Sequence, residues 1–156
     1  MALAPAVYTI WNRVMSFGPD DPIWPNRDRF VLSNGYASML LWALLFLTGT
    51  RAVNADYERL GEPAVSLDDI RLFRQLDSKA AGHPEYHWTS GVETTTGPLG
   101  QGVSTSVGMA IAQKWLASGY NRLGAAVFNH RIYAVCGDGC GGGLGGGVAR
   151  QPPWSR

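Results

Sequence analysis

The sequence predicts an α/β fold, a parallel sheet flanked by helices, on three observations. Two short apolar stretches with strand character, RFVL at 29–32 and RIYAVC at 131–136, are separated by helical stretches instead of a tight turn. A glycine-rich turn, GPLGQG at 97–102, opens a segment whose apolar residues recur at helical spacing. The second strand runs directly into Gly137-Asp138-Gly139. That places a carboxylate at the carboxyl end of a strand, where ligands of parallel sheets collect.

The elements follow in order. Val7, Ile10, Trp11 and Val14 share one face of a helix expected over Ala2 to Met15. Ser16 to Arg29 holds three prolines and a glycine and reads as a loop, and RFVL follows as the first strand. Ser33 and Asn34 suit a helix cap, and Ser38 to Leu47 continues as a mostly apolar helix closed by Gly49. A helix apolar on every side is buried. Ser66-Leu67-Asp68-Asp69 resembles a capping box, with a helix expected to run to Leu76. Ala80 to Thr96 has little periodicity and reads as an extended binding loop. A last helix begins at Leu99 or Gly100 and ends near Gly119. Val103, Val107, Ala110, Ile111 and Trp115 are expected on its core side, with Gln113 and Lys114 toward water.

Composition sets outer limits. The 156 residues suit one domain, and 46% hydrophobic with 16% charged residues argues against disorder. A net charge of +1 without a basic run gives no footprint for nucleic acid. The longest apolar run, Met39 to Leu47, is far short of the roughly 20 residues that span a bilayer. MALAPAVYTIW lacks the pattern of a signal peptide, so no membrane association is expected. Cys136 and Cys140 are too few for a disulfide framework, and a reducing cytoplasm is the simplest setting.

The chemistry concentrates in two places. Gly82 to Gly102 reads GHPEYHWTSGVETTTGPLGQG, and GDGC occupies 137–140. A helix start offers backbone N–H groups to an anion, and Asp138 offers a hard oxygen to Mg²⁺ or Ca²⁺. Together they suggest a site for a diphosphate and its metal ion. A glycine-flanked aspartate can equally be a turn residue bonding its own backbone. His83 could donate and accept protons near neutral pH, whereas His87 and His130 have no supporting context.

Four ordered segments carry a family resemblance: VLSNGYASMLL at 31–41, FRQLDSKAAGHPE at 73–85, GVETTTGPLGQG at 91–102, and GDGC. LAPAVYTIWNRV and WPNRDRFVLSNG add to it, so that it covers Leu3 to Cys140. The chain resembles the thiamine diphosphate-dependent transketolases, at part of their diphosphate-binding domain. The resemblance implies an incomplete thiamine diphosphate-binding-type fold over residues 1–140 and transfer of a two-carbon ketol unit from a ketose phosphate to an aldose phosphate. It makes Asp138 the metal ligand and Gly139 a backbone contact to the diphosphate. Gly97, Pro98 and Leu99 would touch the cofactor, and His83 would face cofactor and sugar. Tyr36 stands where the family pattern SNGH has a cofactor-facing histidine. Its phenol, with a pKa near 10, removes proton exchange at pH 7 but not contact. Homodimerisation of a longer form is implied by the resemblance alone. Other thiamine diphosphate enzymes, dihydroxyacetone synthase or deoxyxylulose-phosphate synthase, are alternatives, as is a non-catalytic association protein.

Residues 141–156 depart from this pattern. Eight of the eleven residues from Gly137 to Gly147 are glycine, and VARQPPWSR follows. Such glycine density cannot hold a helix. The tail reads as foreign to the family, either from a truncated or frame-shifted sequence or as a flexible extension. Lacking the family's second metal ligand and activating glutamate, the chain is expected to be inactive by itself.

Overall fold

The computed structural model of the protein describes residues 3–141; the glycine-rich tail beyond lies outside the described residues. Helix α1 (Ala4–Thr9) starts with Pro5 in its first turn and widens into a π-type turn over Ile10–Val14. Val7 and Trp11 of this segment are buried and Ile10 is half-buried, but Val14 is exposed. The single helix expected to Met15 is therefore two pieces, the first burying Val7 and the second Trp11.

Strand β1 (Arg29–Leu32) pairs in parallel with β4 (Ile132–Val135), residue for residue from Arg29–Ile132 to Leu32–Val135. Phe30, Val31 and Leu32 are all buried. An uninterrupted apolar strand with both faces covered behaves this way in parallel sheets. Between the two strands lies the rest of the chain, beginning with a 3₁₀ turn at Gly35–Ala37 and α2 (Ser38–Leu47). Helix α2 buries Ser38, Leu41, Trp42, Leu44 and Leu45. Its far side, with Phe46 and Leu47, is open, so the helix is not enclosed all round as expected. Trp42 donates its indole N–H to the Ala81 carbonyl, which removes the cost of burying that donor.

An antiparallel hairpin, β2 (Arg51–Val53) and β3 (Arg59–Pro63), forms a second small sheet. Helix α3 (Leu67–Arg71) begins with the expected capping box: Ser66 Oγ accepts from Asp69 N, and the Asp69 carboxylate accepts from Ser66 N. It stops at Arg71 and does not reach Leu76. Arg74 and Asp77 take left-handed backbone angles, φ 64° and 60°, which no right-handed helix can contain. The core joins Val7, Trp11, Phe30, Leu32, Leu41, Trp42, Leu45 and Val92, and the Trp11 ring meets Phe17 and Phe30 edge-on at 5.2 and 4.8 Å.

Helix α4 (Gln101–Tyr120) has the expected bounds to within a residue but the opposite face inward. Gln113, expected toward water, is 6% exposed and donates to the Phe128 carbonyl. Gly102 and Ser106 are buried with it, while Val107 and Ile111 are exposed and Trp115 is 70% exposed. The small residues face inward because the contact is tight: a methyl group at Gly102 would lie 2.6 Å from Ser33 Cα. Among the described residues no helix is long and apolar enough to cross a membrane.

Candidate functional site

Strands β1 and β4 end side by side. The Ser33 N–H donates to the Val135 carbonyl and extends their ladder by one bond. Beyond this point β1 turns into Asn34-Gly35-Tyr36, and β4 turns through Gly137 into a 3₁₀ turn at Asp138–Gly141. The Tyr36 phenol is 59% exposed and reaches over the second turn: a methyl group on Gly137 would lie 3.5 Å from its hydroxyl.

The loop from 80 to 96 has no helix or strand, as expected, yet it is anchored throughout. Ser38 Oγ bonds the carbonyls of Ala81 and Gly82. Thr96 is buried, donates its hydroxyl to the Leu32 carbonyl at 2.8 Å and its N–H to Pro84. Gly35 packs directly on Thr96: a methyl group there would lie 2.9 Å from Thr96 Oγ1. Glu93 ties the same loop to the segment before β1, bonding the Arg27 guanidinium at 3.0 and 3.1 Å and Arg29 at 3.3 Å. Burial pushes the Arg29 pKa down, and Glu93 opposes that shift.

These anchors bring the expected residues together in pairs. His83 is exposed, with its ring beside Gly97, where a methyl group would lie 3.7 Å from His83 Cδ2. Pro98 and Leu99 follow on the surface, and a methyl group on Gly139 would touch Leu99 Cδ1 at 3.4 Å. Gly100 then takes φ 84°, a conformation open to glycine at little cost, and stands against the Cys140 carbonyl. Tyr36, His83, Gly97, Pro98, Leu99, Asp138 and Gly139 thus all belong to the turns around the ends of β1 and β4.

Asp138 is exposed, and its Oδ1 accepts from the Gly139 N–H at 2.8 Å. The self-bonded turn and the ligand role are compatible, because Oδ2 carries no protein hydrogen bond among the described residues. No group of three His, Cys, Asp or Glu that could hold a metal occurs among the described residues. A hard cation here would take Asp138 together with oxygens from phosphate, backbone or water, which is ordinary for Mg²⁺ and Ca²⁺. The buried Asn34 Oδ1 at the same strand end has no hydrogen-bond partner among the described residues, so an acceptor is available there. Glycine backbone, one hard carboxylate and a helix start fit a diphosphate with a divalent cation.

Ser33 and Glu93 were not singled out for these roles from the sequence. Ser33 reads as the cap of the helix that follows it, yet the 3₁₀ turn and α2 show no side-chain cap bond. Its hydroxyl instead accepts from Val103 N in α4 at 3.2 Å and donates to Cys140 Sγ at 3.6 Å. Burial pushes the Cys140 thiol up, but the Gly100 backbone, the Ser33 hydroxyl and the Gly137 backbone outweigh it and hold the pKa below its usual value. The available signal for Ser33 was the absence of a capping side chain at Gly100. His130 is buried, and burial with Arg29 nearby pushes its pKa down, in keeping with a structural position. His87 is exposed and packs on Tyr86 at 4.0 Å. The Tyr86–His87 side also lines a cleft of about 140 Å³ with Tyr57, Ser90 and Glu93, which includes none of the expected site residues.

The chain has relatives among known proteins. The family of the transketolase thiamine diphosphate binding domain matches residues 1–151. The chain is 52% identical over 139 residues to a transketolase of Geobacillus stearothermophilus, covering 89% of this chain and 19% of that protein. It is 47% identical to transketolase 1 of Escherichia coli strain K12, with the same coverages of 89% and 19%. The solved transketolase of Leishmania mexicana superposes with a TM-score of 0.78 at 44% identity, over 88% of this chain and 19% of that one. The chain therefore spans about a fifth of the length of the relatives it matches.

Proposed function

The chain belongs to the transketolase family, whose thiamine diphosphate binding domain it matches over residues 1–151, and from that premise we propose that the turns ending β1 and β4 hold the diphosphate of thiamine diphosphate in a ketol-transferring enzyme. The observation that carries the proposal is convergence. Gly97–Leu99, Gly137–Gly139 and Tyr36 are far apart in sequence and meet at the carboxyl ends of a parallel pair of strands.

Each residue has a definite task. Asp138 would supply a carboxylate oxygen to a Mg²⁺ or Ca²⁺ ion held with the diphosphate. Gly139 allows phosphate oxygens close to the backbone, as Gly97 does further along. Pro98 stiffens the turn and Leu99 offers an apolar contact. His83, exposed beside Gly97, would bind sugar hydroxyls through its ring nitrogens. Tyr36 would contact the cofactor through its hydroxyl. When bound, thiamine diphosphate supplies the nucleophilic carbon that cleaves a ketose, and the protein supplies binding and orientation.

The substrates in this reading are a ketose phosphate donor and an aldose phosphate acceptor, as in the pentose phosphate pathway. The longer form acts as a homodimer. The exposed Val107, Ile111 and Trp115 of α4 support that, because such a stripe is suited to burial against another surface. Two free cysteines support a reducing, cytoplasmic setting.

Calorimetry tests the cofactor reading. Thiamine diphosphate titrated into the chain should give a saturable heat with Mg²⁺ and none with EDTA. Identical traces in both solutions would sink the proposal.

A further inference from the structure

We infer that Ser33 is a positioning residue of this site, whose hydroxyl joins the end of β1, the first turn of α4 and the GDGC turn into one unit that presents Gly97–Leu99 and Gly139 to the diphosphate. The inference rests on the cofactor reading above. Ser33 is 0% exposed, so it touches neither cofactor nor substrate and acts only through its neighbours.

Three segments depend on one side chain. A helix start leaves backbone N–H groups without partners, and a capping oxygen normally comes from the residue just before the helix. In α4 that residue is Gly100, which has no side chain. Ser33 supplies the missing oxygen from a different element, accepting from Val103 N, the third residue of the helix, at 3.2 Å. A hydroxyl donates while it accepts, and this one donates to Cys140 Sγ at 3.6 Å. Meanwhile Ser33 N–H bonds Val135 and fixes the height of β1 against β4.

The joint has no slack. Gly102 abuts Ser33 so closely that a methyl group would lie 2.6 Å from its Cα and 2.9 Å from its Oγ. On the other side, a methyl group on Gly100 would meet the Cys140 carbonyl at 3.4 Å. A hydroxyl fits between α4 and the GDGC turn, and its two bonds hold the turn and the helix start at a fixed offset. That offset sets the gap between Leu99 and Gly139, which border the same site.

Ser33→Ala tests this, because it removes the hydroxyl without adding volume. Two readouts are needed: amide hydrogen exchange resolved at Val103 and at Ala110 to Ala112, and calorimetric affinity for thiamine diphosphate with Mg²⁺. Loss of one buried hydrogen bond should speed Val103 exchange and weaken cofactor affinity by about fivefold to tenfold each, leaving exchange at Ala110 to Ala112 unchanged. Faster Val103 exchange with unchanged affinity would make Ser33 a helix cap only and overturn the inference. Unchanged Val103 exchange would overturn it as well. If Ser33→Ala does not fold, Cys140→Ala decides: it keeps the cap on Val103 and removes the acceptor of the Ser33 hydroxyl in the GDGC turn, so weaker affinity with wild-type Val103 protection supports the role, and wild-type affinity overturns it. A wild-type chain without Mg²⁺-dependent binding overturns the functional reading and this inference with it. Equal affinity in wild type and S33A overturns this inference alone.

Discussion

Glu93→Gln should lower the stability of the fold by roughly 3 kcal/mol, the low end of the cost of removing one partner from a buried ion pair. The Glu93 side chain is 13% exposed, and it faces Arg27 and Arg29, 15% and 19% exposed. Removing its charge leaves two guanidinium groups together in a poorly hydrated place. A neutral amide also cannot accept at both oxygens, as the carboxylate does from Arg27. For a chain of this size the loss corresponds to a melting temperature lower by about 6–12 °C. Thermal unfolding by circular dichroism would show it. A shift below about 2 °C would place the pair in the weak regime of solvent-screened surface bridges. The same substitution frees the loop that carries Val92 into the core and Thr96 onto β1, so its effect extends to the position of Gly97.

Asp138→Ala should weaken Mg²⁺-dependent binding of thiamine diphosphate by about a hundredfold or more. Residues that merely support a metal ligand already cost about 10–100-fold when removed. Asp138 would be a direct ligand, and among the described residues no group of three His, Cys, Asp or Glu offers an alternative metal site. The variant should fold normally. Its side chain is exposed, and among the described residues its one hydrogen bond is from the adjacent Gly139 N–H. Calorimetry on the wild type and D138A, with circular dichroism as a folding control, separates the two effects. Undiminished affinity in a folded D138A would remove the carboxylate from the site and leave it as the turn residue that its bond to Gly139 permits.

Local patterns were legible where a residue's environment follows from its neighbours in sequence. RFVL is apolar, short and bounded by loop residues, and β1 forms there with the expected ends. SMLLWALLFL runs from Ser38 to a glycine and forms α2 over the same residues. The hairpin at 51–63 carries no sequence signal, because β2 is three residues long and β3, RLGEP, is exposed and contains glycine and proline. Neither shows the alternation that marks a strand. The inverted face of α4 has a different cause. Periodicity reveals an apolar stripe but not which neighbour covers it, and here close packing on Ser33 selects the side with Gly102 and Ser106.

The site was legible mainly through its motifs. GHPE, GPLGQG and GDGC each mark a turn, but their contact with one another is tertiary and cannot be read from spacing. His83 beside Gly97 and Leu99 beside Gly139 are findings of the fold. Ser33 illustrates the limit most clearly. A serine before a short helical turn has every local feature of a cap for that turn, yet it caps α4, seventy residues later in the chain.

The most direct test of the central claim is residue-resolved amide NMR of the wild-type chain with thiamine diphosphate and Mg²⁺ added stepwise. The account predicts shift changes clustered at Tyr36, His83, Gly97 to Gly102 and Gly137 to Cys140, saturating together and reversing with EDTA. Changes confined to the Tyr57–Tyr86–His87 cleft, with the ends of β1 and β4 silent, would contradict it.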